Sequence, residues 1–573
     1  MKLLKQLDLH TQKRIAWSLL ALAMLVYAVV MSIEAVLRYE TFKATAFDLG
    51  NMDQVIWNTI HGRPFQFTNQ AIDWYGPPNR LGVHVEPIML LISLLYAFYA
   101  DPRTLLVFQT LVLVAGAPAV FLLTRRYLPS WPLLASVMSA AYLLSPALLG
   151  INIFDFHPDS LATPLFLYAI LAITYRRFIW FLVLCFFACI CKEDMSLAIA
   201  LFGVLLIWKY RMPRLGLLLI VGGVIWAYIA FKMVIPHFYT GVQANNFWYR
   251  YRYLGSSPAS AVANLLLHPW LIFTTLITLD RVYYILGLLR STGFVCLLAP
   301  EWLLPILPKL ASNVLSDNTL NYSGVYHYNA AIIPFVMLAA IHGTRRAILL
   351  WQGWSKEGVC QDELELLIGK PAPDTEQRPY PVAWMPARGR ALVIRAWQPV
   401  RRLFIRITPW FTRLTLPDWR RERWQSFSAR MYPLTKKVSP LRLQWVFCVW
   451  IIFMLGLNYC IALSTLNSFW PDHLPGTREQ QIQQLIDMIP PTASVSASDD
   501  LNPHVSERQR LAVFPSIWLD AARNQPVQYI LVDLNSPTLG DRAAANKELN
   551  SLAKDYRPLK IAYGVVLLQR RGT

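Results

Sequence analysis

Apolar residues run in blocks close to the roughly 20 residues that a helix needs to cross a bilayer. The blocks begin near Ala16, Thr104, Trp131, Leu161, Phe178, Ser196, Leu215, Val262, Tyr284, Ala330 and Trp445. Short polar loops separate them, which predicts eleven transmembrane helices. A further apolar stretch, Ile88 to Ala100, reaches only about 20 Å as a helix and is expected to lie at the interface or half-inserted. The pattern changes after the last block, about Trp445 to Ser464. Gln481 to Met488 has helical spacing, Ala493 to Ala497 alternates like a strand, and Gln528 to Asp533 and Ile561 to Gln569 are β-rich runs. A helix near Arg542 to Ala553 falls between those runs, so a small α/β domain is predicted there.

Charge orients the helices. Arg125-Arg126, Arg176-Arg177, Lys209/Arg211/Arg214 and Arg345-Arg346 close successive blocks. The positive-inside rule places all of them in the cytoplasm if the N-terminus is inside, Ile88 to Ala100 does not cross, and the C-terminal domain is outside. The first block, about Ala16 to Ile33, follows Lys2, Lys5, Lys13 and Arg14 and lacks a small-x-small cleavage site, so it reads as a retained signal-anchor. The expected organisation is a helical membrane module over 1–343, a basic cytoplasmic membrane-surface segment over 344–443, a last span over 444–466, and an extracytoplasmic domain over 467–573.

Composition agrees with a polytopic membrane protein: 55% hydrophobic, 15% charged and 21 Trp in 573 residues, with a mean hydropathy of +0.37. The net charge of +19 sits at block ends and in residues 344–442, which hold 19 Lys/Arg against 8 Asp/Glu. This implies anionic lipid rather than nucleic acid as the partner; the segment is either a passive linker with lipid contacts or a docking arm. The seven Cys have no paired spacing and none follows Cys460, so the outer domain is expected to fold without disulfides.

On this topology the polar clusters all open outward. Asp48 and Asp53 are five residues apart, on different faces of a helix, and so are not a paired acid/base device. Asp48 alone is either a general base or a helix N-cap. His157-Pro158-Asp159 is a good helix start, and Asp155 and Asp159, if helical, share a face. Lys192-Glu193-Asp194 either pair among themselves, or Lys192 joins Arg250 and Arg252 in holding a lipid phosphate. His84-Val-Glu86 and His327 are structural or converge on phosphate or metal. The chain has no Gly-rich phosphate loop, H-E-x-x-H or zinc-type Cys/His spacing, which argues against a nucleotide-driven pump and a zinc protease.

Together Phe47-Asp48-Leu49-Gly50, His84-Val-Glu86-Pro87, Phe156-His157-Pro158-Asp159, Lys192-Glu193-Asp194 and Tyr326-His-Tyr-Asn-Ala-Ala-Ile-Ile-Pro334 resemble the GT-C membrane glycosyltransferases. The closer resemblance is to a bacterial family of polytopic membrane proteins within that superfamily. It covers about residues 15 to 343 and, more loosely, the outer domain with Ser494 to Ser498 and Pro503-His504. The basic segment looks like an insertion. The resemblance implies a multi-pass protein of the bacterial cytoplasmic (inner) membrane. It further implies inverting transfer of a sugar from a polyprenyl-phosphate donor to a lipid, glycan or protein acceptor on the extracytoplasmic face. Asp48 would be the base, with Asp53 and Asp155 as further catalytic candidates. Lys192, Arg250 and Arg252 would hold the donor phosphate. His84, Glu86, Asp155, His157, Asp159, Glu193, Asp194 and His327 would line the site. No cofactor is required, although a divalent metal is compatible with the chemistry. The alternative is a transporter or lipid flippase with a charged outer cavity.

Overall fold

A computed structural model describes residues 8–69, 78–240, 247–354, 440–466, 470–519, 525–537, 539 and 542–572. The chain is predominantly helical. Five helices among the described residues are long and apolar enough to cross a membrane: Leu9–Glu40, Pro102–Tyr127, Pro213–Phe238, Ile333–Trp351 and Arg442–Ile461. A sixth arises if Pro132–Leu143 and Pro146–Ile153, bent by 45°, are one broken span. Pro146 at the first helical position explains the break, because a ring at that site cannot continue the preceding ladder. Pro158–Thr174, Phe178–Cys189 and Met195–Trp208 are apolar but shorter. Length and composition therefore do not establish the expected eleven.

Two expected spans are not single helices. The blocks beginning near Val262 and Tyr284 divide into Pro258–Leu267, Trp270–Leu276 and Leu279–Arg290, with the first break at His268-Pro269. The stretch Ile88 to Ala100 forms a one-turn helix, Met89–Ile92, and a 3-10 turn, Ser93–Ala97, neither long enough to cross. The first helix, in contrast, outruns its apolar block and ends at Glu40. Asp48 thus follows the helix by only eight residues. The extension holds because Arg38 is buried, 3.5 Å from Asp155 and over the ring of Phe154 at 5.5 Å.

The basic ends of the helices meet. Arg126 lies over Tyr175 at 5.7 Å, and Tyr127 packs on His342 at 4.3 Å. His342 stacks on Trp302 at 3.9 Å, beside the ion pair of Lys209 with Glu301 at 3.1 Å. Small residues allow two helices to close up nearby: a Cβ on Gly203 would sit 2.5 Å from the Gly216 carbonyl oxygen, and one on Gly223 2.5 Å from that of Ser196.

The C-terminal residues form a five-stranded sheet of order β2-β1-β3-β5-β4. Strands β1 (Val495–Ala497), β2 (Leu511–Val513) and β3 (Tyr529–Asp533) are parallel. Strands β4 (Tyr556–Ala562) and β5 (Val565–Arg570) form an antiparallel hairpin, with β5 also antiparallel to β3. The run Ile561 to Gln569 is thus two strands and not one. Tyr563 and Gly564 take φ of 51° and 84°, as a tight two-residue hairpin requires. Helix Thr477–Ile486 covers one face through Ile482 and Leu485, and helix Arg542–Ser551 the other through Ala545. Strand β2, three residues long, had no signal in the pattern. Phe42, just after the first helix, is buried in the first of these two cores, so the domain does not complete its core alone.

Residues 345–445 are a second unit, described only at the end of one helix, to Trp354, and the beginning of another, from Pro440. The lipid-contact expectation for the basic segment falls mainly outside the described residues.

Because Gly203 meets backbone, Gly203→Val should destabilise the protein by about 1–3 kcal/mol, read as a lower thermal midpoint in detergent. Gly222→Val, with nothing within 4 Å of the added carbon, should leave that midpoint unchanged.

Candidate active site

The turn that carries Asp48 is held from both sides. Ala46–Gly50 is a single π-helical turn running directly into helix Asn51–Ile60. The Ala46 N–H donates to Asp499 Oδ1 of the C-terminal domain at 2.9 Å. Gly50 abuts an Asn69–Asn502 amide pair, and a Cβ there would lie 2.6 Å from Asn502 Oδ1. The Thr45 N–H donates to Asp155 Oδ2 at 2.9 Å. The Thr45 hydroxyl lies 2.9 Å from Asp48 Oδ2 and 2.8 Å from Asp155 Oδ2, and its one proton serves one carboxylate at a time. Asp48 does not act as an N-cap: Asn51–Ile60 has no side-chain cap, and the carboxylate of Asp48 turns to Thr45 and His157.

The loop opposite is pinned by Gln109. Its Oε1 accepts from the His157 N–H at 3.0 Å and the Ser160 hydroxyl at 2.9 Å, while its Nε2 donates to the Ile151 and Asp155 carbonyls. Residues 154–157 are not helical, and a 3-10 turn begins at Pro158. Asp155 and Asp159 therefore do not share a face. Asp155 turns to Arg38 and Thr45, and Asp159 accepts from Lys192 Nζ at 3.2 Å. His157 Nε2 reaches Asp48 Oδ1 at 3.0 Å, and its ring stacks on His327 with centroids 3.8 Å apart. His327 Nε2 lies 3.9 Å from Asp159 Oδ2.

Electrostatics separate the two imidazoles. Burial pushes His157 toward the neutral form, but the hydrogen bond and charge of Asp48 outweigh it and raise its pKa. Burial likewise works to raise Asp48, yet His157, the Thr45 hydroxyl and the Arg80 charge bring it below the usual carboxylate value. His327 is driven well below the ordinary imidazole value by burial, then by the charges of His157, Lys192 and Lys309.

Lys192-Glu193-Asp194 do not pair among themselves. Lys192 meets Asp159, Glu193 meets His84 Nδ1 at 2.8 Å and the Val85 N–H at 2.9 Å, and Asp194 accepts from Lys309 at 2.6 Å. Glu86 is paired with Arg80 at 2.8 Å. Lys309 lies over Tyr328 at 5.7 Å, and Tyr328 packs on His327 at 4.2 Å. Arg250 comes within electrostatic reach of Tyr328 and lies 3.5 Å from Asn321 Oδ1. Arg252, on the same 3-10 turn, is exposed and makes no described contact with this cluster.

Two of the three catalytic candidates are buried and occupied. Asp53 is fully buried, accepting hydrogen bonds from Tyr96 and, at 2.5 Å, from Ser506 of the C-terminal domain. It links helix Asn51–Ile60 to that domain. Asp155, 1% exposed, is occupied with Arg38 and Thr45 and braces the Asp48 turn. Asp48, at 30% side-chain exposure, is the acid left open. Arg38, Arg80, Lys309, Thr45 and Gln109 were missed by sequence reasoning. The one available signal was that each buried acid needs a cation, and the neighbouring loops supply these.

A resident divalent metal would need several carboxylate or imidazole donors aimed at one point. No group of three His, Cys, Asp or Glu so arranged exists among the described residues, and the acids around Asp48 already face cations. The donor set does not fit such an ion.

The Lys192–Asp159 pair is buried on both sides. Lys192→Met should cost about 3–5 kcal/mol by stranding a carboxylate, and Asp159→Asn added to it should restore most of that loss. Chemical unfolding of the single and double variants in detergent measures this, and simple additivity would mean the two side chains are not coupled.

Two solved structures are similar over most of their length. ArnT from Cupriavidus metallidurans, bound to undecaprenyl phosphate, is 12% identical with a TM-score of 0.47, and the match covers 97% of this chain and 98% of that one. The oligosaccharyltransferase of Archaeoglobus fulgidus, tethered to an acceptor peptide, is 12% identical with a TM-score of 0.42, covering 95% and 72%. Neither TM-score is high enough to establish a shared fold. No curated protein matches the chain. A family profile does, over residues 38–357 and 425–567. The match takes in the turn of Asp48, the loops of His157, Lys192 and His327, and most of the C-terminal domain, and so the chain belongs to the family described as "Predicted membrane protein (DUF2079)".

Proposed function

We propose that this membrane protein transfers a sugar from a polyprenyl-phosphate donor to an acceptor hydroxyl or amine at the extracytoplasmic face, with inversion. One observation carries the reading: a partly exposed, ionised Asp48 is linked through His157, His327 and Asp159 to Lys192 in loops and helix ends. Asp48 takes the acceptor proton as the acceptor oxygen or nitrogen attacks the anomeric carbon. The anomeric C–O bond breaks on the opposite face, and its electron pair leaves with the lipid phosphate. Lys192, Lys309 and Arg250 take up that charge. The bilayer delivers the donor, so no soluble nucleotide site is needed. The resemblance of the motifs to GT-C glycosyltransferases supports the same chemistry. Transport sites usually lie near the bilayer midplane, and the placement of these charges at helix ends favours an enzyme over a transporter or flippase.

The accompanying topology has eleven crossings in a bacterial cytoplasmic membrane, some of them by short or broken helices. The N-terminus and residues 344–442 lie inside against anionic lipid, and the C-terminal domain lies outside. Meeting of the basic helix ends around Tyr127, His342 and Trp302 supports that parity.

Reporter fusions should give an extracytoplasmic signal after Ala100, a cytoplasmic one after Arg126 and an extracytoplasmic one after Thr465. A cytoplasmic signal at the last site overturns the topology. Purified full-length protein given a radiolabelled polyprenyl-phosphate sugar and membrane extract as acceptor source should form a labelled product. Asp48→Asn should slow transfer about 100- to 10,000-fold while leaving the thermal midpoint near that of the unmodified chain. Full activity in that variant removes Asp48 as the base.

A further inference from the structure

We propose that His157 and His327 form a stacked pair that holds one proton, that this proton resides on His157, and that His157 thereby acts as a positioning residue keeping Asp48 ionised and oriented. The inference rests on Asp48 being the base, as argued above. It adds how a base so close to a lipid surface is kept charged without a metal or a second carboxylate.

Geometry fixes the ring first. The backbone of His157 is anchored by Gln109, and its imidazole stacks on His327, centroids 3.8 Å apart at 18°, and lies near-parallel to Phe154, 5.6 Å away at 18°. These contacts hold the ring in the orientation that brings Nε2 to 3.0 Å from Asp48 Oδ1. With Thr45 on the other oxygen, the carboxylate plane of Asp48 is set by two contacts, and its remaining lone pairs face the open side.

Charge then decides the proton. Two imidazolium rings face to face at 3.8 Å in a buried site repel each other, so the pair carries one positive charge and not two. Each ring has a carboxylate at its edge. Asp159, 3.9 Å from His327, is already paired with Lys192 at 3.2 Å. Asp48 makes its only described ion pair with His157. The unmatched negative charge is therefore on the His157 side, and the proton follows it. The other charged or titratable groups around the pair do not reverse this. Arg80 and Tyr326 act on Asp48 from a distance, Asp155 is matched by Arg38, and Asp499 faces the Ala46 N–H. Lys192, Lys309 and His84 lie toward His327 and hold it neutral.

The arrangement has a consequence for the donor. An ionised base beside a phosphate leaving group would repel it, whereas the Asp48–His157 pair is neutral overall. When Asp48 has taken the acceptor proton, His157 still carries its charge, which is then released from its partner beside the departing anion.

Histidine-selective isotope labelling of the full chain in detergent tests this without turnover, with His157 and His327 signals assigned from His157→Gln and His327→Gln. Across the range in which free imidazole titrates, about pH 5 to 8, His157 should titrate above the free value and His327 below it. Asp48→Asn should lower the His157 midpoint by about one unit or more. An unchanged midpoint in that variant, or two rings titrating together at the free value, overturns the proposal. In the transfer assay, Gln at 157 keeps a donor but loses the positive charge. The acid limb of the rate should then move to higher pH. A purely structural role would lower stability and leave the limb where it was. If no transfer is detected while the titrations behave as described, the glycosyl-transfer reading fails and the proton assignment stands.

Discussion

A carboxylate out of water must meet a cation or several donors, and this constraint assembles the end of the molecule that carries Asp48. Asp48, Asp155, Asp159, Glu193, Asp194 and Glu86 are each answered by a cationic or titratable partner from another segment or, for Glu86, from six residues upstream. The partners come from the first helix, the 3-10 turn at Arg80 and the loops or helices around His84, His157, Lys192 and Lys309. Loops far apart in sequence are thereby drawn into one network. Asp48 and Asp194 keep side-chain exposures of 30% and 27%, whereas Asp155, Asp159, Glu193 and Glu86 are buried.

The C-terminal domain is bound into the same network. It supplies Asp499 to the turn that bears Asp48, Asn502 to Gly50, Ser506 to Asp53 and the Arg508 carbonyl to Gln54. In return the segment after the first helix gives Phe42 to the domain core and a stacking surface, Tyr39, to His504 at 4.0 Å. The geometry of Asp48 thus depends on residues more than 450 positions away in sequence.

Short and broken helices have a physical role in this design. Helices ending at Ile153, Cys189 and Arg290 are followed by irregular backbone whose polar groups need partners. After Ile153 that backbone is buried, with Gln109 taking up the Ile151 and Asp155 carbonyls and the His157 N–H. The same features explain why a count of long apolar helices undercounts the hydrophobic blocks.

The sequence by itself determined the elements whose signal is local. Apolar runs located most of the helices but not their breaks, Pro158 marked a helical start, and alternation or apolar β-rich runs located β1, β3 and much of the terminal hairpin. It also singled out Asp48, His157, Lys192 and His327 as polar groups with either a structural or a functional role. What it did not hold was pairing, because spacing along the chain says nothing about which cation meets which acid across loops. Hence Asp53 and Asp155 looked as available as Asp48, Lys192-Glu193-Asp194 looked self-contained, and Arg38, Arg80 and Lys309 went unnoticed. Tertiary structure decided these because burial removes the water that would otherwise solvate each charge. The nearest partner in space then sets which acid is locked and which is left to act.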